Sequence, residues 1–560
     1  MKIFIAQQNY HIGNFEANTD KIIAAIEDAK RQNGDLIVFS ELCICGYPPR
    51  DFLEFDDFID NGLAAIERIK QFADTIGVLV GCPSRNNKPL GKNLFNSAFL
   101  LHEKEIKGIV HKTLLPNYDI FDEYRYFEPA YDWQVLEFKG KKLAVTICED
   151  IWNLTDDPLY RLSPMDELAK QNPDVMINLS ASPFDYIHAD SRKGIVKQNV
   201  LQYSLPMIYC NTVGSQTEIV FDGGSLAMDA KGNIIAELPY FTESQQFITL
   251  NDDNTLSGGI QTPKEQVPSV QSLPLQFEPE KATDKIHQAL LTGIRDYFSK
   301  MGFTKAIVAS SGGIDSAVVL ALACEALGAE HVRALLLPSQ FSTDHSVNDA
   351  VQLSQNLDNQ YDIISIKDIF NSFETALHPV FSGLPFSVAE ENLQSRIRGA
   401  LVMALSNKFG SILLNTSNKS ELATGYGTLY GDMAGGLGVL GDLYKQQVYA
   451  IARYINRDKE IIPQNIIDKA PSAELRPGQK DSDSLPEYDI LDGILYQYIE
   501  RRLGPKEIIA MGFDAPLVNR ILKLVNTNEY KRNQFCPIIR VSPKSFGIGR
   551  RVPIVGKYLG

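Results

Sequence analysis

The sequence predicts an α/β protein in two domains, a layered α-β-β-α first half and a doubly wound, mostly parallel second half. Three observations carry this. Short runs rich in Val and Ile, bounded by polar or Gly-rich turns, alternate with helical patterns along the chain. A chain of 560 residues is too long for one hydrophobic core. One stretch near the middle, NDDNTLSGGIQTPKEQVPSVQSLPLQFEPE, is rich in Pro, Ser, Gly and Gln and has no apolar period, the composition of a linker. The expected division is a first domain over residues 1–250, a linker over 251–280 and a second domain over 281–560.

In the first half, KIFIAQ from Lys2, DLIVFSEL from Asp35, GVLVGCP from Gly77, KLAVTICED from Lys142, VMINLSAS from Val175 and MIYCNTVG from Met207 read as strands. TDKIIAAIEDAKRQ from Thr19 and LAAIERIKQFADTI from Leu63 carry a helical apolar period between them. Strand and helix mixed in this way, with several runs ending in reactive side chains, imply layered sheets covered by helices. In the second half, the helical pattern DKIHQALLTGIRDYFSKM leads into KAIVASSGGIDSAVVLALACEAL, which is strand, Gly-rich loop, then helix. VRALLLPS, YDIISI and SILLNTSN are further strands with helical stretches between them, so a parallel sheet is expected.

The formal net charge of −15 argues against a general binder of nucleic acid or anionic membrane. It does not exclude an anionic substrate held by a few lysines and backbone N–H groups. Seven cysteines, an odd number without disulfide or zinc spacing, fit a reducing cytoplasm. The start, MKIFIAQQNY, has no basic region followed by an apolar core, so no signal peptide is expected. No apolar run approaches the length needed to span a bilayer.

Cys148, in TICED, closes an apolar strand, where α/β sheets expose reactive groups. Attack on an amide requires a thiolate, and therefore a base or a cation nearby. Glu41, in VFSELCICGYP, is a carboxylate able to take the thiol proton. Lys112, in GIVHKTLLPNY, is a cation able to stabilise both thiolate and oxyanion. Taken singly, such residues are usually a core thiol and solvated charges. The three segments FSELCICGYPPRD, HKTLLPNYDIFDEYRYFEP and TICEDIW, in that order, resemble the carbon–nitrogen hydrolase (nitrilase-like amidase) family over the whole first half. The resemblance implies Glu41 as general base, Lys112 as stabiliser, Cys148 as nucleophile and Glu123 as a supporting carboxylate. It further implies that Tyr118 and Ser182 contact a glutamine substrate. Six residues after that serine, where the family carries Lys or Arg, this chain has His188, with Arg192 and Lys193 close by as alternative partners for the glutamine α-carboxylate.

SSGGIDSA, from Ser310, follows a strand and opens a helix. Its glycines, Gly312 and Gly313, let backbone approach an anion, and the N–H groups around Ile314 at the helix start face it. Ser311 and Ser316 add hydroxyl donors, and Asp315 can help place a magnesium ion. The Walker spacing is missing. The string resembles the PP-loop of the N-type ATP pyrophosphatases, adenine nucleotide alpha hydrolase-like in fold, and implies ATP binding by Ser310, Ser311, Gly312, Gly313, Ile314, Asp315 and Ser316. ENLQSRIRG from Glu391, LLNTSNKSELATGYGTLYGDMAGG from Leu413, PSAELRPGQKDSDSLPEYDILDGIL from Pro471, NEYKRNQ from Asn528 and VSPKSFGIGRRVPI from Val541 are together similar to the NAD⁺ synthetases, and the nitrilase-like half to their glutamine-dependent type. That resemblance implies that Asn392, Glu421 and Lys531 contact deamido-NAD⁺, Thr416 contacts ATP, Lys445 meets phosphate and Glu421 joins Asp315 at magnesium. One of Arg396 and Arg398 is a further phosphate candidate.

The implied reaction uses glutamine, ATP, Mg²⁺ and deamido-NAD⁺. Cys148 releases ammonia from glutamine, ATP adenylates the nicotinate carboxylate, and ammonia displaces AMP. A sheltered ammonia path and a homo-oligomer built through the synthetase domain are expected, with no nucleic-acid or membrane partner. Rival readings are a different amidotransferase with the same loop, a regulator with a vestigial amidase, and an amidase with a structural second domain.

Overall fold

The structure, a computed structural model, describes residues 1–154, 158–258, 267, 273–472, 474–479, 481 and 485–558. The chain separates into two compact units, Met1–Ser272 and Leu273–Gly560.

The strands of the first unit, in chain order, are β1 (Lys2–Gln7), β2 (Leu36–Val38), β3 (Gly77–Arg85), β4 (Leu94–His102), β5 (Glu105–His111), β6 (Leu136–Phe138), β7 (Lys141–Ile147), β8 (Val175–Ser180), β9 (Met207–Asn211), β10 (Val213–Gln216), β11 (Ile219–Asp222), β12 (Leu226–Met228), β13 (Ile234–Glu237), β14 (Ser244–Leu250) and β15 (Leu256–Ser257). Among the described residues one sheet runs β15-β14-β1-β2-β3-β4-β5 and a second runs β13-β12-β9-β8-β7-β6, with β10 and β11 a separate hairpin. The centre of each is parallel, β1-β2-β3 and β7-β8-β9, and the margins are antiparallel.

The side-chain period of two explains the layers. In β1, Ile3 and Ile5 point between the sheets, where they share a core with Val145, Ile147, Ile177 and Leu179. Phe4 and Ala6 point the other way, onto α1 (Phe15–Arg31) and α2 (Asp56–Lys70) through Ile22, Ile26, Ile66 and Ile69. In the second sheet Ala144 and Met176 face outward onto α3 (Pro164–Ala169) and α4 (His188–Tyr203), meeting Leu168, Ile195 and Val200. Strands buried on both faces read as unbroken apolar runs. The expected α-β-β-α sandwich is the observed one.

Boundaries differ from the sequence reading where caps and turns decide them. Helix α1 starts at Phe15, before the apolar pattern, because the Asn14 side chain accepts from Ala17 N at 3.3 Å. Strand β2 stops at Val38, and Leu42 just beyond it has φ +45°. The stretch taken for a linker is structured at both ends. Strand β15 pairs with β14, and Leu273 and Phe277 pack on the helical core of the second unit. Residues 259–266 and 268–272 of that stretch lie outside the described residues.

The second unit contains α5 (Thr283–Met301), β16 (Ala306–Ala309), α6 (Ile314–Leu327), β17 (Val332–Leu336), α7 (Asp344–Leu357), β18 (Gln360–Ile363), α8 (Lys367–Phe381), α9 (Val388–Phe409), β19 (Ile412–Asn415), α10 (Lys419–Thr424), β20 (Leu437–Gly438) and α11 (Lys445–Ile455), followed by further helices. Its sheet runs β18-β17-β16-β19-β20 and is parallel throughout. Helices α8 and α9 cover one face through Phe370, Ile397 and Val402, and α6 packs on β16 and β17 beside α5 and α11. The order reverses at β16, between β17 and β19, which places a switch point there. No described helix is long and apolar enough to cross a membrane.

Two candidate active sites

The first site lies where β2, β5 and β7 end. After Ile147 the chain enters a 3-10 turn, Cys148–Ile151, and Cys148 sits at φ +44°, a left-handed conformation that is sparsely populated outside glycine. Asp150 holds the turn, accepting from Thr113 N (3.0 Å), Leu114 N (2.8 Å) and Ile147 N (3.0 Å). The Glu41 turn is seated on β3 at Gly81, where a Cβ would lie 2.4 Å from Leu42 N.

These turns bring Glu41, Lys112 and Glu123 into one buried cluster. Lys112 Nζ donates to Glu41 Oε1 at 2.7 Å and to Glu123 Oε1 at 2.8 Å. Asn96 Nδ2 donates to Glu41 Oε1 at 2.7 Å, Ala181 N to Glu41 Oε2 at 3.1 Å, and Tyr47 OH to Glu123 Oε1 at 2.8 Å. Burial pulls the Lys112 pKa down, but Glu123 and Glu41 together outweigh it and hold the ammonium well above its ordinary value. Burial pushes the Cys148 thiol well up; Glu41 adds to that, Lys112 opposes it and Glu123 adds again. Burial also raises the Glu123 carboxyl to about 7 against the pull of Lys112, so a resting thiolate would add negative charge to a cluster whose one cation is already shared. The electrostatics of the cluster therefore favour the thiol form of Cys148 at rest.

The other expected residues surround this cluster. Tyr118 OH donates to Glu149 Oε1 at 2.8 Å, as does Tyr160 OH at 3.1 Å. Ser182 Oγ lies 2.9 Å from His188 Nε2, and the His188 ring stacks on Trp152 at 4.8 Å between centroids. Arg192 and Lys193 are committed elsewhere. Arg192 makes a buried two-pronged contact with Asp222, at 2.9 and 2.7 Å, and Lys193 Nζ is 2.7 Å from Glu237. Neither is disposed as a stand-in at position 188. Glu149, Tyr47, Asn96 and Asp150 were not singled out from sequence. A lone Asn inside the apolar strand LFNSAFLL was the legible signal for Asn96.

The second site is a cavity of about 290 Å³ at the carboxyl ends of β16, β17 and β19. Ser310, Ser311, Gly313, Ile314, Asp315 and Ser316 form one wall, and Thr416, Glu421 and Lys445 close it. Gly312 makes the turn instead of lining the cavity. Its φ is +77°, and a Cβ there would meet Ser346 O at 2.1 Å. Inside the loop, Ser311 N donates to Ser316 Oγ at 3.2 Å and Gly313 N to Ser311 Oγ at 3.3 Å. Ser310 Oγ is buried without a partner.

Lys445 Nζ stands between two carboxylates, 2.5 Å from Asp315 Oδ2 and 3.6 Å from Glu421 Oε1. Burial, and then Asp315, raise the Glu421 carboxyl to about 8, against the pull of Lys445. Two facing carboxylates that share one ammonium are the oxygen donors a magnesium ion takes from a protein, with phosphates and water completing its shell. Among the described residues no group of three or more His, Cys, Asp or Glu could hold a metal alone. The residues therefore fit a cation that arrives with a nucleotide.

The elements behind Glu421 and Lys445 are pinned. Ser420 Oγ donates to Asp492 Oδ1 and accepts from Lys445 N at 3.0 Å, and Gln446 N donates to Asp492 Oδ2 at 2.9 Å, which caps α11. On the other side of Ser420, Lys419 is buried against Glu500 (2.8 Å) and Asp442 (3.0 Å). Asn392 and Lys531 are not on the cavity wall. Asn392 Oδ1 accepts from Thr428 Oγ1 at 2.7 Å, and Lys531 Nζ donates to Gly425 O (2.7 Å) and Gly427 O (2.8 Å). Both grip the segment carrying Tyr426, which does line the cavity. Of the two arginines, Arg398 lines the cavity, with Nε donating to Leu337 O at 3.0 Å, and Arg396 is exposed. Lys469, Glu474 and Asp481 also line it and were missed from sequence.

Residues 2–255 match the carbon–nitrogen hydrolase family and residues 286–535 match NAD synthase. The glutamine-dependent NAD(+) synthetase of Synechocystis sp. is 43% identical, with 99% of this chain and 98% of that protein covered. That of Thermotoga maritima is 40% identical, covering 100% and 99%. Among solved structures, glutamine-dependent NAD+ synthetase from Acinetobacter baumannii in complex with ADP is similar with a TM-score of 0.76 and 36% identity, covering 99% of this chain and 98% of that one.

Proposed function

The chain belongs to the glutamine-dependent NAD(+) synthetases, and on that premise we propose how its two sites divide the work. It is a carbon–nitrogen ligase that takes its amide nitrogen from glutamine. In the first site Cys148 attacks the glutamine side-chain amide while Glu41 takes the thiol proton and returns it to the leaving ammonia. Lys112 carries charge for the tetrahedral oxyanion. Glu123 fixes the Lys112 ammonium. Tyr118, Ser182 and His188 hold the rest of glutamine, and water then frees glutamate from the thioester.

In the second site the loop from Ser310 to Ser316, with Thr416 and Lys445, binds ATP. The nicotinate carboxylate of deamido-NAD⁺ attacks the α-phosphorus, pyrophosphate leaves, and ammonia displaces AMP from the mixed anhydride to give NAD⁺. Asp315 and Glu421 would hold Mg²⁺, which neutralises charge on the phosphates. Asn392, Glu421 and Lys531 contact deamido-NAD⁺, Asn392 and Lys531 from beside the segment they grip. Because ammonium has no lone pair, a sheltered ammonia path serves this chemistry; unchanged yield per glutamine in the presence of an ammonia scavenger is the expected result. Pairing of the chain through its second unit follows from the family resemblance. Work in a reducing cytoplasm is supported by seven unpaired cysteines.

The carrying observation is the buried Glu41–Lys112–Glu123 cluster acting on Cys148, on the same chain as the phosphate loop. The purified protein, given glutamine, deamido-NAD⁺ and magnesium-ATP, is expected to form glutamate, AMP, pyrophosphate and NAD⁺ in equal amounts. Formation of ADP and phosphate instead would overturn the adenylation step.

A further inference from the structure

The first turn of α7 holds an anion, and the anion is the protein's own. Glu474 Oε1 accepts from Ser346 Oγ at 2.6 Å, Lys469 Nζ at 2.9 Å and Thr343 Oγ1 at 3.1 Å, while Oε2 accepts from Thr343 N at 3.3 Å. These donors are two hydroxyls, an ammonium and a backbone N–H at a helix start, a set suited to a phosphate oxygen as much as to a carboxylate. Three further observations bear on what else they take. Ser346 O is the atom against which Gly312 of the phosphate loop packs, so the donor set adjoins that loop. Ser346, Lys469 and Glu474 line the same cavity as Ser311 and Asp315, and in that cavity Ser310 Oγ is buried with no partner. Glu474 reaches its place at φ +49°, a left-handed conformation that costs a non-glycine residue free energy.

We propose that Thr343, Ser346 and Lys469 form a second phosphate subsite for the pyrophosphate end of ATP, and that Glu474 is a placeholder which the incoming phosphate displaces. The cavity then carries two lysines, each parked on acid: Lys445 on Asp315, and Lys469 on Glu474. Displacement frees Lys469 for phosphate and relieves the strained backbone at Glu474. It also releases the hold of Glu474 on α7, so that nucleotide binding is coupled to the segment that carries it. Burial raises the Glu474 pKa, but its bonds from Ser346 and Lys469 prevail and hold it below the ordinary range, so the placeholder is a charged competitor.

This inference rests on the reading of the second site as one that splits ATP at the α-phosphate. The test is calorimetric titration of the whole protein with inorganic pyrophosphate and magnesium, alongside KM for ATP with ammonium as nitrogen donor. Lys469→Ala is expected to weaken pyrophosphate binding by on the order of tenfold, the size of one charge-assisted hydrogen bond, and to raise KM for ATP more than it lowers kcat. Lys469→Arg recovers part of the loss. Glu474→Gln removes the competitor and is expected to tighten pyrophosphate binding several-fold. A structural anchor would behave oppositely. Weaker binding in Glu474→Gln, or unchanged binding in Lys469→Ala, overturns the subsite. If pyrophosphate binds as expected but no AMP is ever formed, the fault lies in the reading of the reaction and not in the subsite. If ATP KM shifts and pyrophosphate binding does not, the donors serve another part of the nucleotide and the proposal falls.

Discussion

Lys112 Nζ donates to Glu41 Oε1 at 2.7 Å, and neither side chain has any exposed surface. The pair is made by residues 71 positions apart, one from the turn after β2 and one from the end of β5. The ammonium offsets carboxylates that would otherwise be buried alone, and the carboxylates keep it charged, which is the state the proposed oxyanion role requires.

Lys112→Met leaves Glu41 and Glu123 buried without a cation. Removing one partner of a buried pair costs about 3–5 kcal/mol, because the remaining charge is uncompensated. Urea unfolding of the first unit is expected to show a loss of that size, together with loss of glutamine hydrolysis. A loss below about 1 kcal/mol, the level of an exposed pair, would contradict the geometry.

Glu421, raised to about 8, is mostly protonated at pH 7 in the nucleotide-free chain. A carboxyl whose folded pKa lies above its unfolded value of about 4.3 favours the folded state at low pH, and that contribution is lost as pH rises toward 8. A bound cation reverses the preference, since it stabilises the carboxylate. Magnesium-ATP binding at pH 7 is therefore expected to release a proton, read as a dependence of binding heat on the buffer's ionisation enthalpy. The release should vanish at pH 9, where the group is already ionised, and in Glu421→Gln. Proton uptake at pH 7 would show the sign to be wrong.

Arg192 and His188 are close in sequence and differ in role. Arg192→Met is expected to destabilise the first unit by about 3–5 kcal/mol by stranding Asp222. Its KM for glutamine should change little in the fraction that stays folded. His188→Ala removes the partner of Ser182 Oγ and is expected to raise KM for glutamine while ammonium-supported synthesis is unaffected. A large KM effect from Arg192→Met with stability unchanged would exchange the two roles.

The layers of the first unit and the parallel sheet of the second were legible because both depend on period. Ile3 and Ile5 against Phe4 and Ala6 already separate two buried faces. Cys148, Glu41 and Ser311 were legible because each sits at the end of an apolar run in a string of reactive residue types. What resisted was pairing across distance. No local pattern tells that Arg192 belongs to Asp222 or that Lys193 belongs to Glu237. The Glu474 contact with Thr343 spans 131 positions and depends on a glutamate in the left-handed region, which the local sequence does not announce. Linker composition misled at its ends because Leu273 and Phe277 find partners only once the second unit's helices have assembled.

Cys148→Ala separates the two halves of the reaction in one assay. NAD⁺ formation from deamido-NAD⁺ and magnesium-ATP is measured first with glutamine and then with ammonium as the nitrogen donor. Loss of the glutamine-supported rate with the ammonium-supported rate intact is expected. Glutamine use that survives the substitution, or an ammonium-supported rate that disappears with it, would contradict a thiol in one unit feeding an ATP-activated acid in the other.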